Sequence, residues 1–287
     1  MSTAETVRNG SGQGGSVQGA SVREGLIREG SAREGSVLDG SVLDGSVRDG
    51  SVRERMPAHR AAAPWHTEPW HADPYVRALH AGHGPLFLRR ADGWMLPLDV
   101  ERWCADADAA DRTVLRRCQG PILDIGCGPG RLVAALAIHG HPCLGIDVSQ
   151  AAVDRTIREG GPALCRSVFE PLPGEGRWGT ALLIDGNIGI GGDPRALLTR
   201  VAQLMAPDGL LVVEAAGADV DERVRVRVDD GRGGVGTAFP WARVGVRALL
   251  HHAHAVGWEL VEQWTARDRG FVSLRHAPPL PRSAAEH

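Results

Sequence analysis

The chain has 287 residues, long enough for one full α/β domain with extra segments, and its 32 Lys+Arg against 35 Asp+Glu leave a net charge of -3. That near balance gives no field to attract nucleic acid or an anionic membrane surface, and no apolar run approaches the roughly 20 residues of a membrane helix. The N-terminus lacks the basic-then-apolar layout of a secretory signal, and the cysteines (Cys104, Cys118, Cys127, Cys143, Cys165) are odd in number and scattered without a CxxC, as expected for reduced thiols in the cytoplasm.

From Ser21 a five-residue unit recurs as SVREG, LIREG, SAREG, SVLDG, SVLDG, SVRDG and SVRER. Period five fits neither a helix nor a strand, and a glycine in nearly every unit disfavours helix. No aromatic residue precedes Trp65, so burial cannot offset the ordering entropy and residues 1–56 are expected to be disordered. Met56 follows the repeat directly and offers an alternative start. Residues 57–118 read as a Pro/Ala/His linker and a small N-terminal helical segment. In it Asp73 and Pro74 open a helix that Gly82 or Gly84 closes, and LDVERWC with DADAADRTVLRRC gives one or two more.

Beyond Gly120 the texture alternates. PILDIG, PCLGIDV, ALCRSVF, TALLID and GLLVVEAAG read as strands. RLVAALAIHG, SQAAVDRTIREGG (Ser149 as N-cap), DPRALLTRVAQLMAPDG (Asp193 as N-cap) and WARVGVRALLHHAHAVG read as helices. WELVEQWTA and GFVSLRHA form a closing strand pair. The predicted domain spans 119–277, followed by a short tail at 278–287. Strand-helix alternation of this kind means an α/β, doubly wound mixed sheet of about seven strands with an antiparallel terminal pair.

The segment Leu123-Asp124-Ile125-Gly126-Cys127-Gly128-Pro129-Gly130-Arg131 puts an acid on a buried strand and a glycine-rich turn at the entry to a helix. Ligands of open α/β sheets bind at that carboxyl edge, and glycine lets the backbone approach them closely. The spacing is G-x-G-x-G rather than the dinucleotide fingerprint, and Pro129 removes an N–H that a pyrophosphate would use. Asp147 ends the second strand at about the distance an adenosine ribose requires, where a carboxylate can accept from both hydroxyls.

ILDIGCGPGR followed by GIDVS resembles the first motif and acidic partner of class I, Rossmann-like S-adenosylmethionine-dependent methyltransferases, over roughly residues 85–277. The resemblance implies S-adenosylmethionine as cofactor. It implies that Gly126, Cys127, Gly128 and Gly130 line its amino-acid part, that Asp124 helps position that part, that Asp147 binds the ribose and that Val148 touches adenine. The family's usual Asp after the third strand is missing, and Ser167 or the backbone of Val168 and Phe169 substitutes. The loop Asp185-Gly186-Asn187 is implied to face the methyl group, its glycines allowing close approach. Asp185 and Asn187 are thus the polar groups expected nearest the chemistry, with Asp185 also touching the cofactor.

An N-terminal segment folded over the cofactor, as in similar enzymes, makes His83 (or His80) a candidate general base, since histidine ordinarily titrates near neutrality. His251, His252 and His254 lack an accompanying carboxylate or thiol motif and read as a solvated helix surface, so no metal is expected. Tyr75, Trp94 and Trp103 read as core anchors, and Cys127 as a small filler. The expected activity is methyl transfer to an O, N or C atom of a small-molecule acceptor, with neither nucleic acid nor membrane as partner. The alternatives are an NAD(P)-dependent oxidoreductase and a non-catalytic scaffold that binds S-adenosylmethionine.

Overall fold

The computed structural model describes residues 73–276. The expectations for the repeat at 1–56, for the linker up to residue 72 and for the tail at 278–287 lie outside the described residues. The described chain runs α1 (Asp73–Ala81), β1 (Phe87–Arg90), β2 (Met95–Pro97), α2 (Val100–Trp103), α3 (Ala109–Leu115), β3 (Ile122–Ile125) and α4 (Arg131–Ile138). It continues through β4 (Cys143–Asp147), α5 (Gln150–Arg158), β5 (Ala163–Cys165), β6 (Trp178–Leu183), α6 (Pro194–Leu204) and β7 (Met205–Ala215). The last elements are β8 (Asp221–Asp229), β9 (Phe239–Val244), α7 (Val246–His254), β10 (Trp258–Ala266) and β11 (Arg269–His276).

Seven strands form one sheet in the order β10-β11-β7-β6-β3-β4-β5. The five from β7 to β5 are parallel, and β11 enters antiparallel between β7 and β10. Period-two alternation sends Ile122, Leu182, Leu210, Val212 and Phe271 to the face covered by α3 and α4. It sends Leu123, Ile125, Leu183, Leu211, Val213 and Val272 to the face that meets α6 and α7. Each large aliphatic side chain so buried contributes about 1.5–3 kcal/mol. The sheet is doubly wound and mixed, with the antiparallel terminal pair. The helix ends follow their local chemistry: the Ser149 hydroxyl accepts from the Ala152 N–H, Asp193 caps α6 with Pro194 in its first turn, and Asp108 and Asp111 form a reciprocal capping box on α3.

The sequence reading missed a second sheet, four antiparallel strands in the order β2-β1-β8-β9. The N-terminal segment is therefore not only helical, and residues 221–244 join its strands to make a cap. Val226 and Val228 of β8 face a core with Leu88, Phe239, Trp241 and the α1 residues Tyr75 and Leu79. The helix expected from Trp241 is also corrected: Trp241–Val244 is the end of β9, and α7 starts after Gly245. Gly245 is the N-cap and makes no side-chain hydrogen bond, so a lone glycine was the only mark of that boundary.

Candidate functional site

At the carboxyl edge of the large sheet, β3 runs into the glycine turn. Gly126, Gly128 and Gly130 have φ of 72°, 55° and 91°, the left-handed region that glycine enters without a Cβ penalty. Close packing reinforces the requirement. A Cβ on Gly126 would stand 2.6 Å from Asn187 Nδ2, and one on Gly130 would stand 2.5 Å from Thr156. The loop is held from behind: the N–H groups of Gly126 and Cys127 donate to the Ile146 carbonyl at 2.8 and 3.0 Å. Cys127 seats its sulfur against the bare Cα of Gly145, where a Cβ would lie 2.7 Å from it. Burial pushes the Cys127 thiol well up, which fits a filler and not a nucleophile.

Asp147 ends β4 with its carboxylate oriented by two backbone donors, Gly128 N–H to Oδ2 at 2.9 Å and Ser149 N–H to Oδ1 at 2.8 Å. It lines a cavity of about 650 Å³ together with Gly126, Cys127, Gly128, Val148, Ser167 and Val168. Ser167 Oγ accepts from the Phe169 N–H at 3.3 Å. Asp124 and Gly130 are not among the lining residues. Gly130 instead caps α4, and Asp124 is buried, its carboxyl raised to about 7 by desolvation against the opposing pull of Arg131.

Asp185 and Asn187 also line the cavity, yet both side chains are committed. Asn187 Nδ2 donates to the carbonyls of Ile125 and Gly126, each at 2.9 Å, and so locks the loop after β6 to the glycine turn. Asp185 has a left-handed φ of 57° and is ion-paired to Arg131 at 2.6 Å and Arg102 at 2.7 Å. It belongs to a knot that the sequence reading did not find. Arg131 and Arg269 both reach the fully buried Asp111, at 2.9 and 2.8 Å, and Arg269 also holds Glu214 at 2.7 Å. Burial opposes ionisation of Asp111, but these guanidiniums overcome it and hold the carboxyl well below its ordinary range. The knot thereby ties α3, α4, β6, β7 and β11 together beneath the cavity.

Two of the glycines after Asp185, Gly189 and Gly192, serve the cap. A Cβ on Gly189 would meet the Trp241 ring at 2.6 Å, and one on Gly192 would meet Pro240 at 2.7 Å. They let β9 lie directly on the loop after β6. The cap then supplies the other wall of the cavity, with Leu88, Leu96, Phe239 and Trp241, beside Leu98, Trp103 and Ile190. Tyr75 and Trp103, expected as core anchors, line the cavity as well. Tyr75 is buried, and desolvation keeps its hydroxyl protonated well past the usual range.

Two histidine assignments change. His83 is exposed in the turn after α1, with Nδ1 3.0 Å from the Gly84 carbonyl oxygen, and is not among the cavity-lining residues. His252 is not solvated: it is 4% exposed, with Nδ1 accepting from Arg195 Nε at 3.1 Å and Nε2 2.9 Å from Asp221. It bridges α6, α7 and β8. Among the described residues no cluster of potential metal ligands occurs, and no helix is long and apolar enough to cross a membrane.

A doubly wound sheet with a glycine turn, an acid ending its second strand and a cavity between them defines a Rossmann-like ligand-binding protein. Residues 101–263 match the methyltransferase domain family model, and the chain belongs to that family. Its fold is similar to a SAM-dependent methyltransferase from Bacteroides fragilis solved with S-adenosylhomocysteine, at 20% identity and a TM-score of 0.61, covering 75% of this chain and 98% of that one. It is also similar to a SAM-dependent methyltransferase from Methanosarcina mazei (16% identity, TM-score 0.47, 60% of this chain and 99% of that one). A further likeness is to the CcbJ methyltransferase from Streptomyces caelestis (19%, TM-score 0.44, 57% and 92%). No curated protein matches the chain in sequence.

Proposed function

We propose that this chain is an enzyme that binds S-adenosylmethionine at the glycine turn and transfers its methyl group to an O, N or C atom of a small-molecule acceptor. The carrying observation is the oriented, cavity-facing carboxylate of Asp147 beside three left-handed glycines. Two backbone donors fix that carboxylate in the cavity wall, and carboxylate oxygens are the acceptors that a pair of ribose hydroxyls needs. The cavity volume of about 650 Å³ suits a nucleoside-sized ligand with a small acceptor beside it.

When bound, S-adenosylmethionine supplies a methyl carbon on a positively charged sulfur, ready for in-line displacement. The protein's share is to bind, orient and exclude water. In this reading Gly126 and Gly128 admit the amino-acid part, Asp147 grips the sugar, and Val148, Ser167 and Val168 take the adenine. Asn187 and Asp185 keep the adjoining loop in place through Gly126 and the arginine knot, which makes them positioning residues. The apolar wall of the cap shields the transfer from solvent.

Calorimetric titration tests the reading. The wild type is expected to bind S-adenosylhomocysteine and not NADH. Asp147→Ala is expected to weaken that binding by at least about 100-fold, since each of the two lost charge-assisted hydrogen bonds is worth about 1.5–3 kcal/mol, while thermal unfolding shows the fold retained. Binding of NADH alone would overturn the assignment in favour of an oxidoreductase. Radiolabelled methyl transfer across a small-molecule panel separates the enzyme from a scaffold that only binds.

A further inference from the structure

The stretch of chain that brings Tyr75 and Trp103 to the cavity is fastened to the sheet side at two places. Arg102 of α2 is ion-paired with Asp185, in the loop after β6, at 2.7 Å. At the other place a single guanidinium from α5 takes hold of both helices: Arg155 Nη1 donates to the Leu79 carbonyl at 2.6 Å, and its Nη2 donates to the Cys104 carbonyl at 3.3 Å. Leu79 lies in the last turn of α1 and Cys104 is the C-cap of α2, where carbonyls lack an intrahelical N–H and accept readily from a cationic side chain. Trp103 sits between the two fastenings and lines the cavity, so α2 spans from the loop after β6 to α5 along the cavity wall.

The helix α1 lies over the glycine turn. The Tyr75 hydroxyl oxygen is 3.8 Å from where a Cβ on Gly128 would stand, and Ala78 and Leu79 pack in one core with Ala152 of α5. Among the described residues Arg155 forms no ion pair, so its charge is directed at the two carbonyls. The next residue, Thr156, faces the other way: its Oγ1 stands 3.0 Å from the Gly128 carbonyl oxygen. One turn of α5 therefore holds the glycine turn and both helices above it.

We propose that Arg155 is a latch: it keeps α1 and α2 closed over the S-adenosylmethionine end of the cavity, and the cofactor enters and leaves when the two carbonyls are released. The proposal rests on the methyltransferase reading of the cavity and makes Arg155 a positioning residue that acts through Tyr75 and Trp103. A latch has a kinetic signature. Loosening it raises the open fraction, which speeds entry and exit alike and leaves affinity nearly unchanged. Loss of a direct ligand contact speeds exit alone.

The test follows S-adenosylhomocysteine binding to the full chain by stopped-flow tryptophan fluorescence, and amide hydrogen exchange of the ligand-free chain by mass spectrometry. In Arg155→Gln both the association and the dissociation rate constants are expected to rise about tenfold, the loss of one charge-assisted hydrogen bond at the low end of its range. The dissociation constant is expected to stay within about threefold. Amide exchange over residues 75–104 is expected to rise about tenfold, with β3 and β6 unchanged. Arg155→Lys can reach one carbonyl but not both, and is expected to fall between wild type and Arg155→Gln. Arg158→Gln is the control: Arg158 is exposed on the same helix and donates to the Asp154 carbonyl within it, so wild-type behaviour is expected. Wild-type rates in Arg155→Gln, a rise in exit alone, exchange raised equally in β3 and β6, or the same changes in Arg158→Gln would each overturn the proposal. Failure of the wild type to bind S-adenosylhomocysteine sinks the methyltransferase reading instead, and the exchange measurement still decides whether Arg155 holds the two helices.

Discussion

The two walls of the cavity are stabilised by different physics. The wall from the seven-stranded sheet is polar and internally closed: its carboxylates are matched to backbone donors or to arginines, and its glycine turn is pinned by Asn187 and Thr156. The cap wall is apolar, built from two distant stretches of chain, and docked on the sheet through bare glycines at 189 and 192. The contrast suggests a division of labour, with the constant ligand handled by the closed wall and the variable one by the apolar wall.

The largest expected effect lies in the closed wall. Arg131→Leu leaves the buried Asp111 with one guanidinium fewer and removes a partner of Asp185. Breaking a buried pair in this way costs about 3–5 kcal/mol, to be read as a lower urea midpoint. If stability is unchanged, the knot is not what holds that wall.

Next comes Asp124, whose carboxyl sits at about 7 in the folded chain because burial disfavours its charge. Between about pH 4, the ordinary carboxylate value, and pH 7 the folded chain holds a proton that the unfolded chain has released. Stability therefore falls as pH rises through that window. Asp124→Asn is expected to remove that part of the slope and to raise stability at pH 8 by on the order of 4 kcal/mol. Urea unfolding at pH 5 and pH 8 checks this, and an unchanged slope would contradict it.

The smallest effect sharpens the division itself. Gly189→Ala forces a methyl group against the Ala242 carbonyl and the Trp241 ring, so β9 must shift, and overpacking of this kind costs about 1–3 kcal/mol. S-adenosylhomocysteine affinity is expected to stay within about twofold, a change too small to register as lost contact, while turnover of the acceptor falls. If cofactor affinity falls as far as turnover, the two walls are not separable.

The same contrast governs what could be read from the chain. The elements β3, α4, β4, α5, β6, α6 and β7 are legible because local signals coincide there: short apolar strands, Ser149 and Asp193 as caps, glycine at the helix ends. The turn at 126–130 and Asp147 are legible because backbone geometry demands those residue types. The cap was not legible as a sheet, since β1 and β2 are short and β8, the strand that joins β1 to the rest, lies 136 to 142 residues further along the chain (Arg90 pairs with Val226, Phe87 with Asp229). One signal was present, the alternation of Val224, Val226 and Val228 with arginines between them, which is the period of a half-buried strand. The arginine knot left none, because it joins Asp111, Arg131, Glu214 and Arg269 from four separate elements with Asp185 from the loop after β6. The second role of Gly189 and Gly192 left no signal for a related reason: the surface they accommodate, β9, is far along the chain, while Gly186 and Gly191 line the cavity.

The most direct measurement is a crystal structure of the complex with S-adenosylhomocysteine. The ribose is expected on Asp147, the amino-acid part along Gly126 and Gly128, and the sulfur turned toward the apolar wall of Trp103, Phe239 and Trp241. A ribose bound away from Asp147, or a sulfur facing away from the cap, would contradict the account.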